Sequence, residues 1–190
     1  DLVSRGLIVV SGLARGIDTA AHWGALGEGD SGGATIGVIA SGIDIAYPPE
    51  NAALQERVAQ ESLLIAEQSP GAEPKARNFP HRNRIIAGLS RATVVVEAAP
   101  KSGSLITARL AAEYGREVLA VPGSPLDSRA QGCNQLIREG ATLVQNADEV
   151  IEAITHIDAR AAAAPAPRIE SAPEEPHESE RMDVIGLLGP

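Results

Sequence analysis

The stretch LIVVSGLARGIDTAAHWGAL, residues 7–26, decides the fold. It opens with a short apolar run typical of a buried strand, and a glycine-rich turn then leads into a helical pattern. The alternation recurs, with further predicted strands at 35–40, 63–66, 93–97, 118–121 and 142–144 and predicted helices at 17–26, 50–60, 81–89, 104–114, 131–138 and 147–154. Continuous apolar strands alternating with helices form mainly parallel sheets that are covered on both faces. The sequence therefore predicts a doubly wound α/β fold of the Rossmann type.

The two ends of the chain depart from this pattern. Residues 1–5 resemble the last turn of a helix, so we expect an N-terminally truncated Rossmann-like domain over 1–158 whose first strand is missing. Residues 159–181 are Ala, Pro and Glu with few large apolar side chains, and they are predicted to be a disordered linker because they cannot offset their ordering entropy. Residues 182–190 are apolar again and predict the start of a second domain, cut short.

Composition excludes several classes of protein. The chain has 190 residues, with 16 basic and 25 acidic side chains and a net charge of −9, which excludes a uniformly basic coat for nucleic acid. One cysteine excludes a disulfide framework and a structural zinc site and favours a reducing compartment. No apolar run reaches the length of a membrane span. We expect a soluble, cytoplasmic protein, packed tightly through its 19 glycines and many alanines.

Positive charge is concentrated in residues 75–91, which hold five Lys or Arg side chains and no acid. Such a cluster in an acidic domain indicates an anion site, although its arginines could also pair with acids elsewhere. Arg82, Asn83 and Arg84 are predicted at the start of a helix, where backbone N–H groups favour anions. Phe79, the only Phe, is either a platform for a nucleobase or a buried packing residue.

Two glycine-containing turns follow predicted strands and open predicted helices. Residues 11–18 offer glycines for close backbone approach and one arginine, and residues 101–107 offer hydroxyls at a helix N-terminus. Glycines required for turn geometry, or plain helix capping by Ser102 or Ser104, are the alternative interpretations. Because open α/β sheets bind ligands at the carboxyl ends of their strands, we expect both turns and the basic cluster to converge on one rim.

Other patterns carry no chemistry. Residues 27–32 match GxGxxG but follow a helix and precede a strand, the reverse of the dinucleotide fingerprint, so they predict a mobile loop and no NAD. No GxSxG, Walker loop or HExxH is present, and His22 and Cys133 are too far apart in sequence to indicate a metal or thiol site. No cofactor is predicted. Glu97 is expected to pair with an arginine of the basic cluster rather than to act as an acid or base.

Five runs of sequence carry a resemblance to a known family. They are SGLARGIDTAAH (11–22), ASGIDIAYPPEN (40–51), NFPHRNRIIAGLS (78–90), VVEAAPKSGSLITARLAAEYGREVLAVPG (95–123) and GCNQLIREGA (132–141). In this order they resemble the DNA processing protein A (DprA, also called Smf) family over residues 1 to about 155. The final residues resemble the opening of the winged-helix domain that follows the linker in many members.

The resemblance implies an extended Rossmann fold that binds single-stranded DNA, loads the recombinase RecA onto it during natural transformation, and commonly forms homodimers. It also implies that a further glycine-and-arginine turn on the missing strand lines the same pocket. Together with the motifs it predicts a DNA site and no catalytic residue. The predicted DNA-binding residues are Gly12, Arg15, Gly16, Lys75, Arg77, Asn78, Phe79, Arg82, Asn83, Arg84, Lys101, Ser102, Gly103, Ser104 and Thr107.

Two other functions remain as alternatives. Related Rossmann-like proteins hydrolyse nucleoside monophosphates with an acid near a PGGxGTxxE-like turn, and Glu113 holds a comparable position, although the PGG opening is absent. A scaffold that senses a small nucleotide is the second alternative. For the DNA site, we expect the double change Arg82→Ala, Arg84→Ala to lower single-strand affinity and leave the fold intact.

Overall fold

The computed structural model describes residues 1–27 and 35–163. The chain divides into two units, residues 1–158 and 159–190, and the first of them holds the strands. A short 3-10 helix, Val3–Arg5, precedes six strands and six helices in the described residues. In chain order they are β1 (Val9–Ser11), α1 (Ile17–Leu26), β2 (Thr35–Gly42), α2 (Ala52–Glu61), β3 (Leu63–Gln68), α3 (Asn78–Leu89), β4 (Ala92–Val95), α4 (Gly103–Glu113), β5 (Glu117–Ala120), α5 (Gln131–Arg138), β6 (Thr142–Leu143) and α6 (Ala147–Ala163).

The strands form two parallel three-stranded sheets, β1-β2-β3 and β4-β5-β6. The α/β class and the parallel pairing are as predicted. The structure differs from the predicted single sheet in one respect. Within the described residues no ladder of hydrogen bonds joins β1 to β4, so the strands form two sheets. After β3 the chain turns back, and α3 crosses β2 and β1 before β4 begins the second sheet. The strand order thus reverses between β1 and β4, and ligands bind beside such switch points in open α/β sheets.

The core of the first sheet uses branched aliphatic side chains, and the second sheet has two buried clusters of different character. Leu13, Ile39 and Val58 are buried between the first sheet and its helices α1 and α2. In the second sheet one cluster is mostly small, with Val95, Ala98, Ala108, Ala120 and Cys133, which allow α4 and α5 to approach closely, and the other consists of Leu119, Val144 and Val150. This agrees with the expectation of tight backbone packing.

The largest differences from the predicted elements are at α3 and α6. Helix α3 begins at Asn78, three residues before the predicted start, so Arg82 and Arg84 lie in its second turn and the predicted helix-start position of these side chains is wrong. Pro80 fits the first turn, where no intrahelical N–H is needed.

Helix α6 ends at Ala163 and covers the first five residues of the predicted linker, because alanine favours helix. The remainder of the predicted linker, the start of the second domain and most of the GxGxxG pattern lie outside the described residues. No helix in the described part of the chain combines the length and the apolar character needed to cross a lipid bilayer.

Candidate nucleic-acid interface

The turn after β1 is held by a carboxylate of its own helix. Asp18, in the first turn of α1, accepts hydrogen bonds from the backbone N–H groups of Gly12 at 3.0 Å and Ala14 at 3.2 Å. Leu13 between them has a φ of 56°, a left-handed conformation that the surrounding contacts must hold. These two amides are therefore occupied by Asp18, and the part of the turn that faces solvent is the exposed side chain of Arg15.

A buried asparagine joins this turn to the segment after β2. The Asn51 side-chain amide donates to the Leu13 carbonyl at 2.8 Å and to the Thr19 hydroxyl at 2.8 Å. The Thr19 hydroxyl in turn donates to the Ala14 carbonyl at 2.8 Å. Buried polar groups of this kind are hydrogen-bonded and fix the backbone around them. These hydrogen bonds thus fix the backbone of the Arg15 turn relative to the segment that contains Asn51.

Arg15 itself makes a two-point ion pair with Glu50, the neighbour of Asn51. Its Nε lies 2.9 Å and its Nη2 2.7 Å from Glu50 Oε1, and Nη2 also donates to Oε2 at 3.0 Å. Both side chains are exposed, at 64% and 59%. The hydrogen bond to Glu50 raises the pKa of Arg15. The pKa of Glu50 is lowered, mainly by a backbone hydrogen bond and next by the hydrogen bond from Arg15. An exposed pair like this contributes little to stability, because water and salt screen it.

Arg82 is buried, with 7% of its surface exposed, and it points into the protein. Its Nη1 donates to the Gly12 carbonyl at 2.6 Å and to the Val38 carbonyl in β2. Burial lowers the pKa of this guanidinium, and the charge of Asp18 acts in the opposite direction. A Cβ on Gly12 would collide with Arg82 Nη1, so a larger residue at this position would have to displace the arginine side chain. Replacing Arg82 should therefore lower stability, a cost that the prediction of an intact fold after the double change did not include.

Two asparagines beside Arg82 are also buried and hold backbone carbonyls. The Asn78 amide donates to Ala40 O at 3.1 Å, and the Asn83 amide donates to Gly103 O at 3.4 Å. The consecutive residues Arg82 and Asn83 therefore reach the turn after β1 and the turn after β4, respectively. The two predicted turns and the start of α3 meet around the switch point, although three of the predicted side chains are turned inward.

The turn after β4 is organised by helix capping. Ser102 precedes α4, and its hydroxyl accepts the Ser104 backbone N–H at 3.3 Å and lies 3.1 Å from the Ser104 hydroxyl. The capping alternative therefore describes Ser102. Gly103 and Ser104 are exposed, Thr107 is half-buried, and Lys101 next to them is exposed.

The remaining cations of the site differ in their partners. Lys75 and Arg77 are exposed on the segment between β3 and α3. Together with Lys101 they make no ion pair with another described residue. Arg84, also exposed, pairs with Glu67 of β3. The alternative in which the cluster pairs with acids thus holds for Arg84, whereas the two cations just before α3 stay available.

Phe79 is half-buried and packs against a ring that the sequence predictions did not include. Its centroid lies 5.6 Å from that of Tyr47, with the two planes at 54°. Tyr47 is the more exposed ring, at 39%, and it follows the carboxyl end of β2. Its position after a predicted strand is the sequence signal that could have identified Tyr47, because the turns after β1 and β4 were selected as strand ends in the same way.

Glu97 pairs with Arg129 at 3.6 Å, and Arg129 also contacts Asp127 at 3.0 Å. The prediction that Glu97 pairs within the basic cluster is wrong, because the loop after β5 brings Arg129 closer. Glu113 ends α4, about 15 Å along the axis from its start, and so lies away from the Ser102 turn.

His22 and Cys133 are buried in different halves of the unit. His22 Nδ1 lies 2.8 Å from the Thr35 hydroxyl, and its Nε2 has no hydrogen-bond partner among the described residues. Burial lowers the pKa of His22 and raises that of the Cys133 thiol. Within the described ranges no three His, Cys, Asp or Glu side chains come together as a metal site.

An open groove of about 580 Å³ lies at the carboxyl edge of the second sheet. Its walls include three prolines that follow β4 and β5, together with side chains of α5 and Leu143 of β6. None of the predicted DNA-binding residues lines this groove.

Comparison with known proteins relates most of the chain to one family. The family model for DNA recombination-mediator protein A matches residues 1–155. DNA processing protein DprA of Streptococcus pneumoniae is 51% identical over 145 residues, which are 76% of this chain and 50% of that protein. The chain spans about half the length of the curated relatives it matches.

Two solved structures share the fold. The X-ray structure of the Streptococcus pneumoniae protein superposes with a TM-score of 0.73 at 51% identity, covering 77% of this chain and 50% of that one. A structure that describes the single-stranded DNA binding mode of DNA processing protein A from Helicobacter pylori gives a TM-score of 0.72 at 31% identity, covering 82% and 69%. With five motifs, one family model and two structures in agreement, the chain belongs to the DNA recombination-mediator protein A family, the DprA/Smf proteins.

Proposed function

We propose that the carboxyl rim around the β1–β4 switch point binds single-stranded DNA. The observation that carries this proposal is the position of the acid-free basic segment. Lys75 and Arg77 are exposed beside the Tyr47–Phe79 ring pair, which lies on the same rim as the turns after β1 and β4. A family relative has been described as a single-stranded DNA binder, which is consistent with this use of the rim.

The predicted residues divide into two roles under this proposal. Exposed groups, namely Arg15, Lys75, Arg77, Arg84 and Lys101, neutralise phosphates, and the Ser104 hydroxyl and helix-start amides add hydrogen bonds. The buried side chains of Asn78, Arg82 and Asn83 act as positioning residues, because they fix the two turns and do not face solvent. Arg82 donates to the Gly12 carbonyl, Asn83 to the Gly103 carbonyl and Asn78 to the Ala40 carbonyl of β2.

The arrangement favours single strands over duplex DNA. An aromatic ring beside cations stabilises an unstacked base, by about 1–3 kcal/mol per base in known single-strand binders. A duplex keeps its bases stacked and paired, so it gains only the phosphate contacts. Sequence preference should be weak, since every base has a face that stacks.

The wider activity follows from the family. We propose that the protein loads RecA onto the bound strand during natural transformation, that it works in the cytoplasm as a homodimer, and that it has no catalytic step. RecA filament formation on single-stranded DNA coated with single-strand-binding protein, followed with and without this protein, tests the loading. Light scattering across a concentration series tests the dimer.

The central experiment is fluorescence anisotropy of a labelled oligothymidine at several salt concentrations. The double variant Lys75→Ala, Arg77→Ala should bind about tenfold more weakly or worse at low salt, and its salt slope should fall by about 1.4, since each lost contact to a single strand removes about 0.7. The variant Arg5→Ala, Arg116→Ala is the matched control. It removes the same charge from residues that precede β1 and β5, at the opposite edge of the sheets.

Equal binding by the two double variants would contradict the proposed site. Competition with mononucleotides separates the alternatives: a nucleotide sensor or hydrolase would be blocked by thymidine monophosphate at concentrations that leave a DNA binder unaffected. Release of free base from a nucleotide would favour the hydrolase.

A further inference from the structure

The exposed corner formed by Arg15, Tyr47 and Glu50 has features of a nucleotide subsite, and of these three residues only Arg15 belongs to the predicted DNA-binding set. Its backbone is rigid, because Asn51 and Asp18 hold the turn after β1 on one side and the segment after β2 on the other. Its side chains reach solvent, since Arg15, Glu50 and Tyr47 are all exposed. A cation and a ring are therefore presented together on a fixed frame.

The contact between Arg15 and Glu50 has the geometry of phosphate recognition. The guanidinium presents Nε and Nη2 to the two carboxylate oxygens at 2.7–3.0 Å. Arginine binds phosphate oxygens through the same two-point arrangement. Because the pair is exposed and weak, an incoming phosphate can replace the carboxylate at small cost.

The ring next to this pair is oriented for stacking by its own neighbour. Phe79 packs against Tyr47 on one side at 5.6 Å, while Tyr47 keeps 39% of its surface exposed. Tyr47 also precedes Glu50, the ion-pair partner of Arg15, by three residues, which places the ring beside the ion pair. A base on the exposed face of Tyr47 would thus place its own phosphate near the Arg15 guanidinium.

We propose that Tyr47 and Arg15 form a nucleotide subsite for one residue of single-stranded DNA, and that Glu50 occupies the phosphate position on Arg15 while the protein is free. The proposal rests on the function proposed above and extends it in two ways. Tyr47 becomes the stacking ring and Phe79 its support. Glu50 becomes a competitor that lowers affinity and limits non-specific capture of anions.

The test compares Glu50→Gln with Glu61→Gln in oligothymidine binding. Glu61 also pairs with an arginine, the half-buried Arg57, but it ends α2 and lies at the opposite edge of the sheet. We expect Glu50→Gln to tighten binding about threefold to fivefold and to steepen the salt slope by up to about 0.7, because Arg15 then neutralises a phosphate without releasing a carboxylate. Glu61→Gln should change neither quantity.

Tyr47 is tested with two substitutions and two probes. Tyr47→Leu should weaken binding of oligothymidine about tenfold, whereas Tyr47→Phe should retain it, because stacking needs the ring and not the hydroxyl. An abasic deoxyribose-phosphate oligomer of the same length should bind both variants as it binds the unmodified protein. A thermal melt of each variant shows that its fold is intact.

The outcomes separate this proposal from the one before it. If Lys75→Ala, Arg77→Ala loses affinity while Glu50→Gln behaves as Glu61→Gln does, the subsite is wrong and the DNA rim stands. If Tyr47→Leu weakens the abasic oligomer as much as oligothymidine, the stacking role is wrong. If the unmodified protein does not bind oligothymidine, both proposals fail.

Discussion

Among the glycines that stand at close approaches, Gly12 in the first half of the unit and Gly132 in the second meet different partners. Gly12 follows β1, and a Cβ there would lie 2.2 Å from the guanidinium of Arg82. Gly132, in the first turn of α5, would bring its Cβ to 2.6 Å from the Ala98 carbonyl and 3.0 Å from the Ala98 Cβ. The first contact is with the end of a long side chain, and the second is with backbone.

This difference reflects how each rim is assembled. Around β1 and β2 the loops are joined by buried polar side chains, namely Asn51, Asn78 and Arg82. Around β4 and α5 they are joined by main-chain hydrogen bonds, from Ala98 N to Arg129 O and from Gly132 N to Ala98 O, both 2.8 Å. The polar rim carries the candidate DNA site, and its geometry depends on buried side chains in addition to main-chain contacts such as that from Gly42 N to Ala72 O. At the other rim the close approach of Ala98 and Gly132 is made by backbone, with the Asn134 side chain adding two hydrogen bonds to Gly123.

Gly132→Ala should have the largest effect on stability. The backbone of Ala98 cannot move without breaking its two hydrogen bonds, so the added methyl group should lower the free energy of unfolding by about 3 kcal/mol, the upper part of the range for overpacking. Thermal unfolding should then shift down by about 6–12 °C for a chain of this size. Gly24→Ala is the control.

Gly24 lies inside α1, and outside its own helix no atom comes within 4 Å of the position that an alanine methyl group would take. Alanine there should stabilise the protein by about 0.5–1 kcal/mol. Equal melting temperatures for Gly132→Ala and Gly24→Ala would show that the backbone around Ala98 can shift to accommodate a methyl group, against this prediction.

Gly12→Ala should cost less, about 2 kcal/mol, because the Arg82 side chain can move away at the expense of its two carbonyl hydrogen bonds. Arg82→Met should cost a similar amount, since it leaves the Gly12 and Val38 carbonyls without this donor. The double variant should cost little more than either one alone, as the methyl group then fills the space that the guanidinium vacates. Chemical denaturation of all four proteins measures this coupling.

Additive losses in that cycle would show that Gly12 and Arg82 act separately. In DNA binding, both single variants should lose affinity in parallel with stability, and Arg82→Met should leave the salt slope unchanged. A slope reduced by about 0.7 would instead mean that Arg82 turns outward and contacts a phosphate.

The polar rim also marks the boundary of what the sequence could predict. The α/β class and the parallel direction of the strands could be predicted, and so could the first residue of each helix to within three positions. Apolar periodicity carries that information. The glycines of the turn after β1 were predicted to let a ligand approach the backbone, and in the structure the group that comes close to Gly12 is a side chain of the protein itself. Their partners were not predictable: the close neighbour of Gly12 is an arginine 70 residues away, and burial of an arginine depends on carbonyls that only the folded chain assembles.

Tyr47 is a second case in which the sequence could not predict the partner of a site residue. It stands in the run ASGIDIAYPPEN, yet nothing local distinguishes a ring that packs on Phe79 from an ordinary loop tyrosine. Arg15 and Glu50 are likewise 35 residues apart in the chain. The rim as a location could be predicted from strand ends, whereas the division of its side chains into buried and exposed could not.

The first half of the unit should lose stability in acid through His22, which hydrogen-bonds the first residue of β2. Burial lowers the pKa of this residue below its unfolded value of 6.5, while Asp18 and Arg82, the charged groups facing it, act in opposite directions. The unfolded chain then binds more protons than the folded one, so stability is complete above about pH 6.5 and falls as the pH drops below it. The loss of unfolding free energy between pH 7.5 and pH 5 should shrink in His22→Gln. His81→Gln, an exposed site on α3, should keep the full loss.

The smallest expected effect is a difference between the halves during unfolding, and two native probes measure it. Trp23, the only tryptophan, lies on α1 beside the first sheet, with Arg57 5.3 Å above its ring, and Cys133, the only cysteine, is buried against the second sheet. We expect tryptophan fluorescence and pulsed alkylation of the thiol to give the same denaturant midpoint, because α3 packs on β2 and against α4 and so couples the sheets. In Arg82→Met, which loosens α3 from the first sheet, the fluorescence midpoint should fall below the alkylation midpoint. Separate midpoints in the unmodified protein would show that the sheets unfold independently, and the two rims could then be altered one at a time.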